Sequence, residues 1–464
     1  MKIRVSCQDL SAALAKLAAA AGCMEGHHPE FNPGRLLLYV RHDQLFLRVC
    51  DCKTEVYVTL KAELLDNSTP LRLAVSREML QARLGSLSST EYVVLNTAET
   101  DRGHNQDHEA LLPVRNQNSR QLQLKGTAQS VRLNYTAPFS LSWADEPVQH
   151  TLLINEHKLK FLLEHSLFCC NETDFRSFYR GPQFKVSTAQ PHLLMCNTSD
   201  GEKLAAVDGQ LLFPAAADED LQAILHPETA QLLRELLNEN SAHCVTLQFS
   251  EDMFCALMSG CLLKTHLAAS RGPNLRAALP VTNSELRVDL KMLLHCVERV
   301  RELDITRPRR LQLLCAAGED LTAAGADLKD GVLKNGYLRI PPPDWPTASL
   351  LQAIFKDNSQ SLAAASAAQQ AQSAQPEGCL FLEYRDAAAQ IVRLKVEGSA
   401  YRGSTCRLQL SPYAVHDILQ GLSFCAQIRI AFDRQDPRAV IFTPADPDRA
   451  LPVTLKYALT CNGY

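Results

Sequence analysis

Residues 404–424, STCRLQLSPYAVHDILQGLSF, show a local pattern that recurs along the chain. Apolar and polar side chains alternate at the start of the stretch, as they do in a half-buried strand. Ser411 can then accept a hydrogen bond from a free N–H of the first helical turn, and Pro412 fits the first helical position. Apolar residues follow at steps of three and four, which is typical of an amphipathic helix. The stretch therefore predicts a strand that runs directly into a helix, which we call a module.

Five further stretches share this outline, with almost no sequence identity between the copies. They are KIRVSCQDLSAALAKL (2–17), LRLAVSREMLQARLGSL (71–87), HTLLINEHKLKFLLEHSLF (150–168), LQAILHPETAQLLRELL (221–237) and ELRVDLKMLLHCVERVREL (285–303). Each has a residue suited to starting a helix where its strand ends: Ser6, Ser76, Asn155, His226 before Pro227, and Asp289. Six matches predict an internal repeat.

The segments between the modules have the alternation of antiparallel strands, as in GRLLLYVRHDQLFLRVCDCKTEVYVTLK (34–61). We therefore predict an α+β fold in which two modules with their strands form one domain. The predicted domains are 1–148, 149–281 and 282–464. The polar segment 99–121 and the Ala/Gln/Ser tract 357–377 are predicted to be surface insertions, because neither can bury enough apolar area.

The composition excludes several function classes. The 464 residues are 46% apolar and 21% charged, with a formal net charge of −4, which argues against a surface that is cationic throughout. Sixteen cysteines include no paired CxxC, so we expect reduced thiols and no metal. His27 and His28 fit a solvated loop better than a metal site, and Cys50 and Cys52 are not expected to bridge. No nucleotide-binding or hydrolase motif occurs, so neither a cofactor nor catalysis is expected.

The amino terminus does not predict a secretory signal. Asp9 and Lys16 interrupt the apolar residues of MKIRVSCQDLSAALAKLAAAAG (1–22), and these residues recur at helical spacing. No window of the chain has the roughly 18 uninterrupted apolar residues of a membrane span. We therefore expect a cytoplasmic protein.

Several segments, in order, resemble the bacterial sliding clamps, the β subunit family of DNA polymerase III. The similar segments are MKIRVSCQDLSAALAKL (1–17), FSLSWADEP (139–147), HTLLINEHKLKFLLEHSLFCCNETDFRSFYRGPQFKV (150–186), SDGEKLAAV (199–207) and LKTHLAASRGPNLRAALP (263–280). In the last one, Arg271, Pro273, Arg276, Leu279 and Pro280 match positions of a family motif. The resemblance covers nearly the whole chain, which is about a quarter longer than typical members.

The resemblance implies three tandem clamp domains and a head-to-tail homodimeric ring whose helices line a central hole. It also implies a processivity factor for DNA replication that encircles double-stranded DNA without reading its sequence and has no catalytic activity of its own. Cationic side chains on the helices would meet phosphate, and the loop CNETD (170–174) matches a family loop that reaches the DNA strand. The DNA-binding candidates are Lys16, Arg77, Arg83, Lys158, Arg176 and Arg299. Acidic side chains lie on the same helices, so the face that each occupies matters.

The resemblance further implies a hydrophobic cleft that binds short peptides of DNA polymerase, the clamp loader and other partners. Carried over by position, its lining is Tyr179, Gly201, Lys203, Leu204, Pro273, Ala277, Ala278, Val453, Leu455 and Tyr457. Two positions depart from the family, because Glu202 replaces a histidine and Ala277 replaces an arginine. The carboxyl terminus also continues past Leu459 as TCNGY. Peptide preference is therefore expected to differ.

Two alternatives stay open from the sequence. The chain can be a clamp-like scaffold or regulator that binds partner peptides without encircling DNA, which the mixed charge on the helices favours. It can also be an enzyme on a six-module β scaffold, which no catalytic constellation supports. The candidate cleft residues can equally be core and edge-strand packing.

Overall fold

The structure is a computed structural model, and it describes most of the chain outside the two predicted insertions. The described residues are 2–24, 33–66, 72–87, 91–98, 120–127, 129–136, 146–215, 219–238, 241–269, 271–302, 311–316, 333–334, 337–339, 378–385, 391–402, 406–435, 438–445 and 453–461. The predicted insertion 357–377 and the histidines at 27 and 28 lie outside these residues. So does the predicted insertion 99–121, apart from its last two residues, which belong to a strand.

The fold is α+β, with mainly antiparallel strands, as predicted. The helices are α1 (Cys7–Gly22), α2 (Arg77–Gly85), α3 (Glu156–Leu167), α4 (Ser177–Arg180), α5 (Pro227–Leu236), α6 (Leu290–Glu302) and α7 (Pro412–Gly421), and a 3-10 turn spans Leu275–Ala278. The strands of the first half are β1 (Lys2–Ser6), β2 (Arg35–Arg41), β3 (Gln44–Cys50), β4 (Thr54–Lys61), β5 (Glu63–Asp66), β6 (Arg72–Ser76), β7 (Tyr92–Ala98), β8 (Arg120–Lys125), β9 (Ser130–Tyr135), β10 (His150–Asn155), β11 (Gln183–Ser187), β12 (Gln190–Ser199), β13 (Lys203–Gln210) and β14 (Leu221–Ile224). The remaining strands are β15 (Cys244–Phe249), β16 (Met253–Met258), β17 (Cys261–His266), β18 (Ser284–Asp289), β19 (Leu311–Ala316), β20 (Leu333–Lys334), β21 (Tyr337–Arg339), β22 (Gly378–Arg385), β23 (Ile391–Arg402), β24 (Cys406–Leu410), β25 (Gln427–Phe432), β26 (Ala439–Pro444) and β27 (Val453–Thr460).

All six predicted modules are confirmed as a strand followed by a helix. In four of them the predicted residue caps the helix through its side chain: Ser6 accepts from Asp9 N (3.2 Å), Ser76 from Met79 N (3.3 Å), Asp289 from Met292 N (3.0 Å) and Ser411 from Ala414 N (3.3 Å). The fourth module differs, because His226 makes no such bond and Pro227 alone fits the first turn. At most two residues separate the strand from the helix at each junction, so every helix begins beside the end of its own strand.

The contacts group the chain into two compact units. The first contains Met1–Leu167, Arg180–Leu194 and Gly209–Gly272, and the second contains Phe168–Tyr179, Met195–Asp208 and Pro273–Tyr464. The division into domains 1–148, 149–281 and 282–464 stays a prediction, because grouping by contacts does not test those boundaries.

The first unit is organised around an eight-stranded sheet in the order β10-β15-β16-β17-β4-β3-β2-β6. Its two halves join where β17 pairs with β4, with Cys261 opposite Val58 and Thr265 opposite Thr54. Helix α1 packs on β3 and β4 through Leu10, Leu14 and Leu17, which are fully buried. Burial of such leucines stabilises the fold by about 1.5–3 kcal/mol each. The unit also has a five-stranded sheet, β5-β1-β7-β8-β9, and the strands β14-β11-β12.

The second unit is built on one long antiparallel series of strands. Its order is β12-β13-β27-β26-β25-β18-β23-β22-β19-β24, with residues 195–199 of β12 in this unit. Helices α6 and α7 pack against each other, and their apolar faces are buried through residues such as Leu293, Val297, Ile418 and Leu419. This pair therefore repeats the two-module arrangement.

We predict that Ser411→Ala weakens the start of α7 by about 1 kcal/mol, because Ala414 N loses its hydrogen-bond acceptor. Hydrogen exchange of the amides in residues 413–421 should accelerate about fivefold. Ser411→Asp is the matched control, since its carboxylate restores an acceptor at the same place and should return exchange to the original rate. Equal exchange in all three proteins would contradict the capping role.

Candidate functional site

An apolar cluster in the second unit contains part of the predicted cleft. Its buried members are Leu204, Ala206, Leu275, Ile441 and Ala458, and the half-buried Phe178, Tyr179 and Leu279 pack against them. We call these eight residues the apolar cluster. They come from α4, β13, β26, β27 and the 3-10 turn with the residue that follows it. An apolar base with partly exposed aromatic side chains can bind a few apolar anchors of a short peptide.

The predicted cleft residues occupy different kinds of position, and the tenth, Lys203, belongs to the turn described next. Tyr179 and Leu204 are members of the apolar cluster. Gly201, Pro273, Ala277 and Ala278 are exposed. Leu455 and Tyr457 are core residues, 3% and 0% exposed, and the ring of Tyr457 meets the ring of Phe168 with centroids 5.1 Å apart. Val453 begins β27. The assignment of all ten residues to one cleft stays a prediction.

The turn between β12 and β13 has the sequence Ser-Asp-Gly-Glu-Lys and is fixed by its own side chains. The carboxylate of Asp200 accepts hydrogen bonds from the backbone N–H groups of Glu202 (2.8 Å) and Lys203 (2.6 Å). Gly201 has φ +94°, a conformation that residues with a Cβ rarely adopt. The turn therefore sets where β13 begins and places Leu204 on the apolar cluster.

Lys203 connects this turn to α7. Its ammonium lies 2.9 Å from the Asp417 carboxylate and 3.7 Å from that of Asp200, and it lies 5.8 Å from the centroid of the Phe168 ring. Burial acts to lower the pKa of Lys203, but the hydrogen bond that its ammonium donates to Asp417 and the charges of Asp417 and Asp200 outweigh burial and raise the pKa. Lys203 therefore keeps its positive charge, which the two carboxylates balance, and this predicted cleft residue links the turn to α7.

Arg276 holds the 3-10 turn against β12 and β13. Its guanidinium donates to both carboxylate oxygens of Asp208, one of them at 3.1 Å, and its Nε donates to Asn197 Oδ1 at 2.7 Å. This two-pronged geometry is specific to arginine, because a lysine ammonium cannot make parallel bonds to a carboxylate. The pair positions Leu275 and Leu279 on the apolar cluster.

Arg176, one of the six DNA-binding candidates, is paired within its own loop. Its guanidinium donates to Asp174 at 3.0 and 2.8 Å, and its Cζ lies 4.2 Å from the centroid of the Tyr179 ring. The hydrogen bond and charge of Asp174 raise the pKa of Arg176. The charge of Arg176 is therefore partly neutralised, and its side chain borders the apolar cluster.

The other DNA-binding candidates lie on helices. In the first unit, α2, α1, α5 and α3 form one continuous row of touching helices. Lys16 and Arg83 are exposed on this row, Lys158 is half-buried, and the side chain of Arg77 is 14% exposed, with Glu78 3.7 Å away. In the second unit, Arg299 is half-buried on α6, which pairs with α7. The structure therefore groups the helices within each unit, as the expected lining requires.

The formal charge of the six module helices is balanced. Their basic residues are Lys16, Arg77, Arg83, Lys158, Lys160, Arg234, Lys291, Arg299 and Arg301. Their acidic residues are Asp9, Glu78, Glu156, Glu164, Glu228, Glu235, Glu298, Glu302 and Asp417. Nine cations are matched by nine anions, so the helices attract phosphate less than a uniformly basic lining does.

Other types of site find little support in the described part of the chain. Those residues contain no group of three or more His, Cys, Asp or Glu side chains placed to hold a metal ion. Their helices include none with the length and apolar character needed to cross a bilayer.

Solved structures of similar fold were found over the full length of the chain. A DNA polymerase sliding clamp from Pseudomonas aeruginosa, solved with a ligand, has a TM-score of 0.71 at 16% identity, and the match covers 100% of both chains. The clamp from Caulobacter crescentus has a TM-score of 0.69 at 16% identity, again with 100% of both chains covered. The clamp from Bacillus subtilis has a TM-score of 0.69 at 13% identity and covers 100% of this chain and 99% of that one.

The chain has the sliding-clamp fold. The sequence itself matches no model of a protein family and no curated protein. At 13–16% identity, the structural matches establish the architecture and leave the roles of single residues to be argued from this chain. The resemblance seen in the sequence is thus confirmed for the fold.

Sequence reasoning missed several members of the apolar cluster and the residues that hold it. Ile441 and Ala458 come from the last two strands and have no motif around them. Phe178 could have been predicted, because it is adjacent to Tyr179 in the same family-like segment. The pairing of Arg276 with Asp208 joins residues 68 positions apart, and the only signal in the sequence was that both charges interrupt apolar surroundings.

We predict that Arg276→Lys lowers the free energy of unfolding by about 1–3 kcal/mol, since one charge remains but the parallel bonds to Asp208 are lost. Urea unfolding followed by circular dichroism measures the change, and hydrogen exchange should accelerate in residues 275–278. Arg271→Lys, an exposed position in the same segment, is the control and should change neither quantity. Equal unfolding free energies and exchange rates in the two variants would show that Arg276 does not hold the 3-10 turn in place.

Proposed function

We propose that this protein is a DNA sliding clamp. On this proposal, two copies close head to tail around duplex DNA and tether a DNA polymerase and other partners, without catalysing a reaction. The protein works in the cytoplasm, as a replication processivity factor. The observation that carries the proposal is the sliding-clamp fold over the full chain. Four of its six module helices touch in a row in the first unit, and the other two pack together in the second.

The balanced charge of the helices is compatible with a sliding contact. A ring holds DNA because it is closed, so its interactions with phosphate need only be few, weak and independent of sequence. Lys16, Arg83 and Lys158 on the helix row supply such interactions, together with Arg77, Arg176 and Arg299. Neutralising one of these cations should make the slope of log K against log salt concentration shallower by about 0.9, because about one counterion fewer is released on DNA binding.

The apolar cluster is the proposed binding surface for partner peptides. Tyr179, Phe178 and Leu279 are partly exposed above a buried apolar base, and such anchoring positions contribute most of the affinity for a short peptide. Around them, Lys203, Arg176 and Arg276 are each paired with a carboxylate, while Glu202 lies at the position where the family has histidine. Because these cations are already paired and Glu202 is acidic, the surroundings of the apolar cluster suit peptides that do not depend on an acidic residue for binding.

The second candidate is a clamp-like scaffold that binds partner peptides and does not encircle DNA. The specific observation in its favour is the nine-to-nine balance of charges on the helices. The two candidates share the apolar cluster and differ only in whether DNA passes through a closed ring.

We predict that the full-length protein, loaded on nicked circular plasmid by a clamp loader from the same cell, stays bound during gel filtration. After linearisation of the plasmid by a single cut, the protein should slide off and at least nine-tenths should elute free. Plasmid blocked at both sides of the cut by a tightly bound protein is the control, and it should retain the clamp. Equal loss from circular and linear plasmid would favour the scaffold.

We predict that Tyr179→Ala removes most peptide binding at the apolar cluster. The probe is a displayed library of random short linear peptides, from which the original protein should enrich sequences rich in apolar residues. Loss of an aromatic anchor commonly costs 2 kcal/mol or more, so enrichment should fall at least about thirtyfold. Leu204→Asp should abolish it.

Tyr92→Ala, which truncates an exposed tyrosine of β7 in the first unit, is the matched control and should enrich the same peptides as the original protein. Circular dichroism and urea unfolding check that each variant is folded. Unchanged enrichment by a folded Tyr179→Ala protein would reject the apolar cluster as the binding surface.

A further inference from the structure

Two cysteines face each other on neighbouring strands of the second unit. Cys315 on β19 is directly opposite Cys406 on β24 in the antiparallel register. Opposed residues in such a pair have Cα atoms about 4.5–5.5 Å apart, and a disulfide spans Cα separations of about 4.4–6.8 Å. Both cysteines are reduced in this structure, and the strands already hold them at a distance that a disulfide can bridge.

The two thiols differ in their burial and in their neighbouring groups. Cys315 is buried, while Cys406 is half-buried and therefore partly open to small reagents. The Tyr401 hydroxyl lies 3.7 Å from Cys406 Sγ. The hydrogen bond from Cys315 lowers the pKa of Cys406 against the opposing effect of burial, and Tyr401 and the charge of Arg434 act in the same direction. Cys406 is thus the more reactive thiol, with a second thiol beside it.

Several other cysteines of the chain have the opposite environment. Burial raises the pKa of Cys50 to about 12, that of Cys255 to about 11 and that of Cys461 to about 12. Such thiols form little thiolate near neutral pH and react slowly. The contrast sets the 315–406 pair apart from the cysteines that only fill the core.

We propose that Cys315 and Cys406 are a reversible dithiol–disulfide couple that reacts with low-molecular-weight disulfides of the glutathione type. The Cys406 thiolate attacks one sulfur of the disulfide, which forms a mixed disulfide and releases the first small thiol. Cys315 then gives up its proton and attacks Cys406 Sγ, which releases the second small thiol. Two electrons pass from the cysteine pair to the reagent, and the two protons end on the two thiols that are released.

The cross-link joins β24 to β19 at a point that bears on α7. Strand β24 leads through Ser411 directly into α7, so oxidation fixes the strand from which that helix begins. The bond also closes a loop of about 90 residues, and a cross-link over such a length restricts the unfolded chain strongly. Oxidation should therefore raise the thermal midpoint of the full chain by several degrees.

The experiment equilibrates the full-length protein with glutathione and glutathione disulfide at several ratios, quenches it with acid and blocks the free thiols. Peptide mapping by mass spectrometry then locates each disulfide. We expect a peptide joined through Cys315 and Cys406, formed at lower glutathione disulfide than any adduct at Cys244, an exposed single thiol. Glutathione adducts on Cys406 without the joined peptide would overturn the proposal, as would no reaction at Cys406.

Variants test the order of the two steps. Cys315→Ser should accumulate the Cys406–glutathione adduct, at least tenfold more than the original protein at the same time point. Cys406→Ser should leave Cys315 unmodified because it is buried. Equal amounts of adduct in Cys315→Ser and in the original protein would show that Cys315 does not resolve the mixed disulfide. The peptide mapping of the original protein decides the existence of the couple even where a variant fails to fold.

Discussion

The junction between a strand and the helix that follows it is the constraint on which the rest of this structure depends. At Ser411, for example, one hydroxyl satisfies a helical N–H that would otherwise have no partner, and Pro412 cannot extend the preceding strand. The chain must then turn within about one residue. Because at most two residues separate strand from helix at each of the six junctions, each helix begins beside its own strand. Helices α1, α5 and α3 accordingly form a row in the first unit, and α6 and α7 pair in the second.

The local part of this architecture could be predicted from the sequence, because capping and periodicity involve residues within one or two turns of each other. Ser6, Ser76, Asp289 and Ser411 accept a helical N–H through their side chains, whereas His226 stands at the predicted helix start without such a side-chain bond. Contacts between distant residues leave no such pattern. The ion pair of Lys203 with Asp417 joins positions 214 apart, and nothing near either residue indicates its partner.

In the candidate site, too, residues within a local sequence segment could be predicted, and residues brought in from distant strands could not. Tyr179 and Leu204 were predicted from a resemblance over two contiguous segments, 150–186 and 199–207, and both are members of the apolar cluster. Ile441 was missed because only the pairing of β26 with its neighbours brings it there. The prediction that Leu455 and Tyr457 line the cleft had the weakest basis. Buried strand positions have the same sequence pattern whether they lie in a core or in a cleft, and both side chains are buried.

The charge balance of the helices gives the proposed function a definite physical form. A protein that depends on phosphate attraction needs a strong excess of cations, and these helices have none. Ring closure therefore has to retain the DNA, and Lys16 and Arg83 need only attract phosphate weakly, so that DNA does not adhere at one place. A chain that lacked ring closure would have little affinity for DNA.

Single-particle electron microscopy of the purified full-length protein tests this account most directly. It predicts closed rings of two copies, with the six helices of each copy on the inner side and a hole wide enough for duplex DNA. Particles that are monomeric at micromolar concentration, or rings with the helices on the outer side, would contradict it.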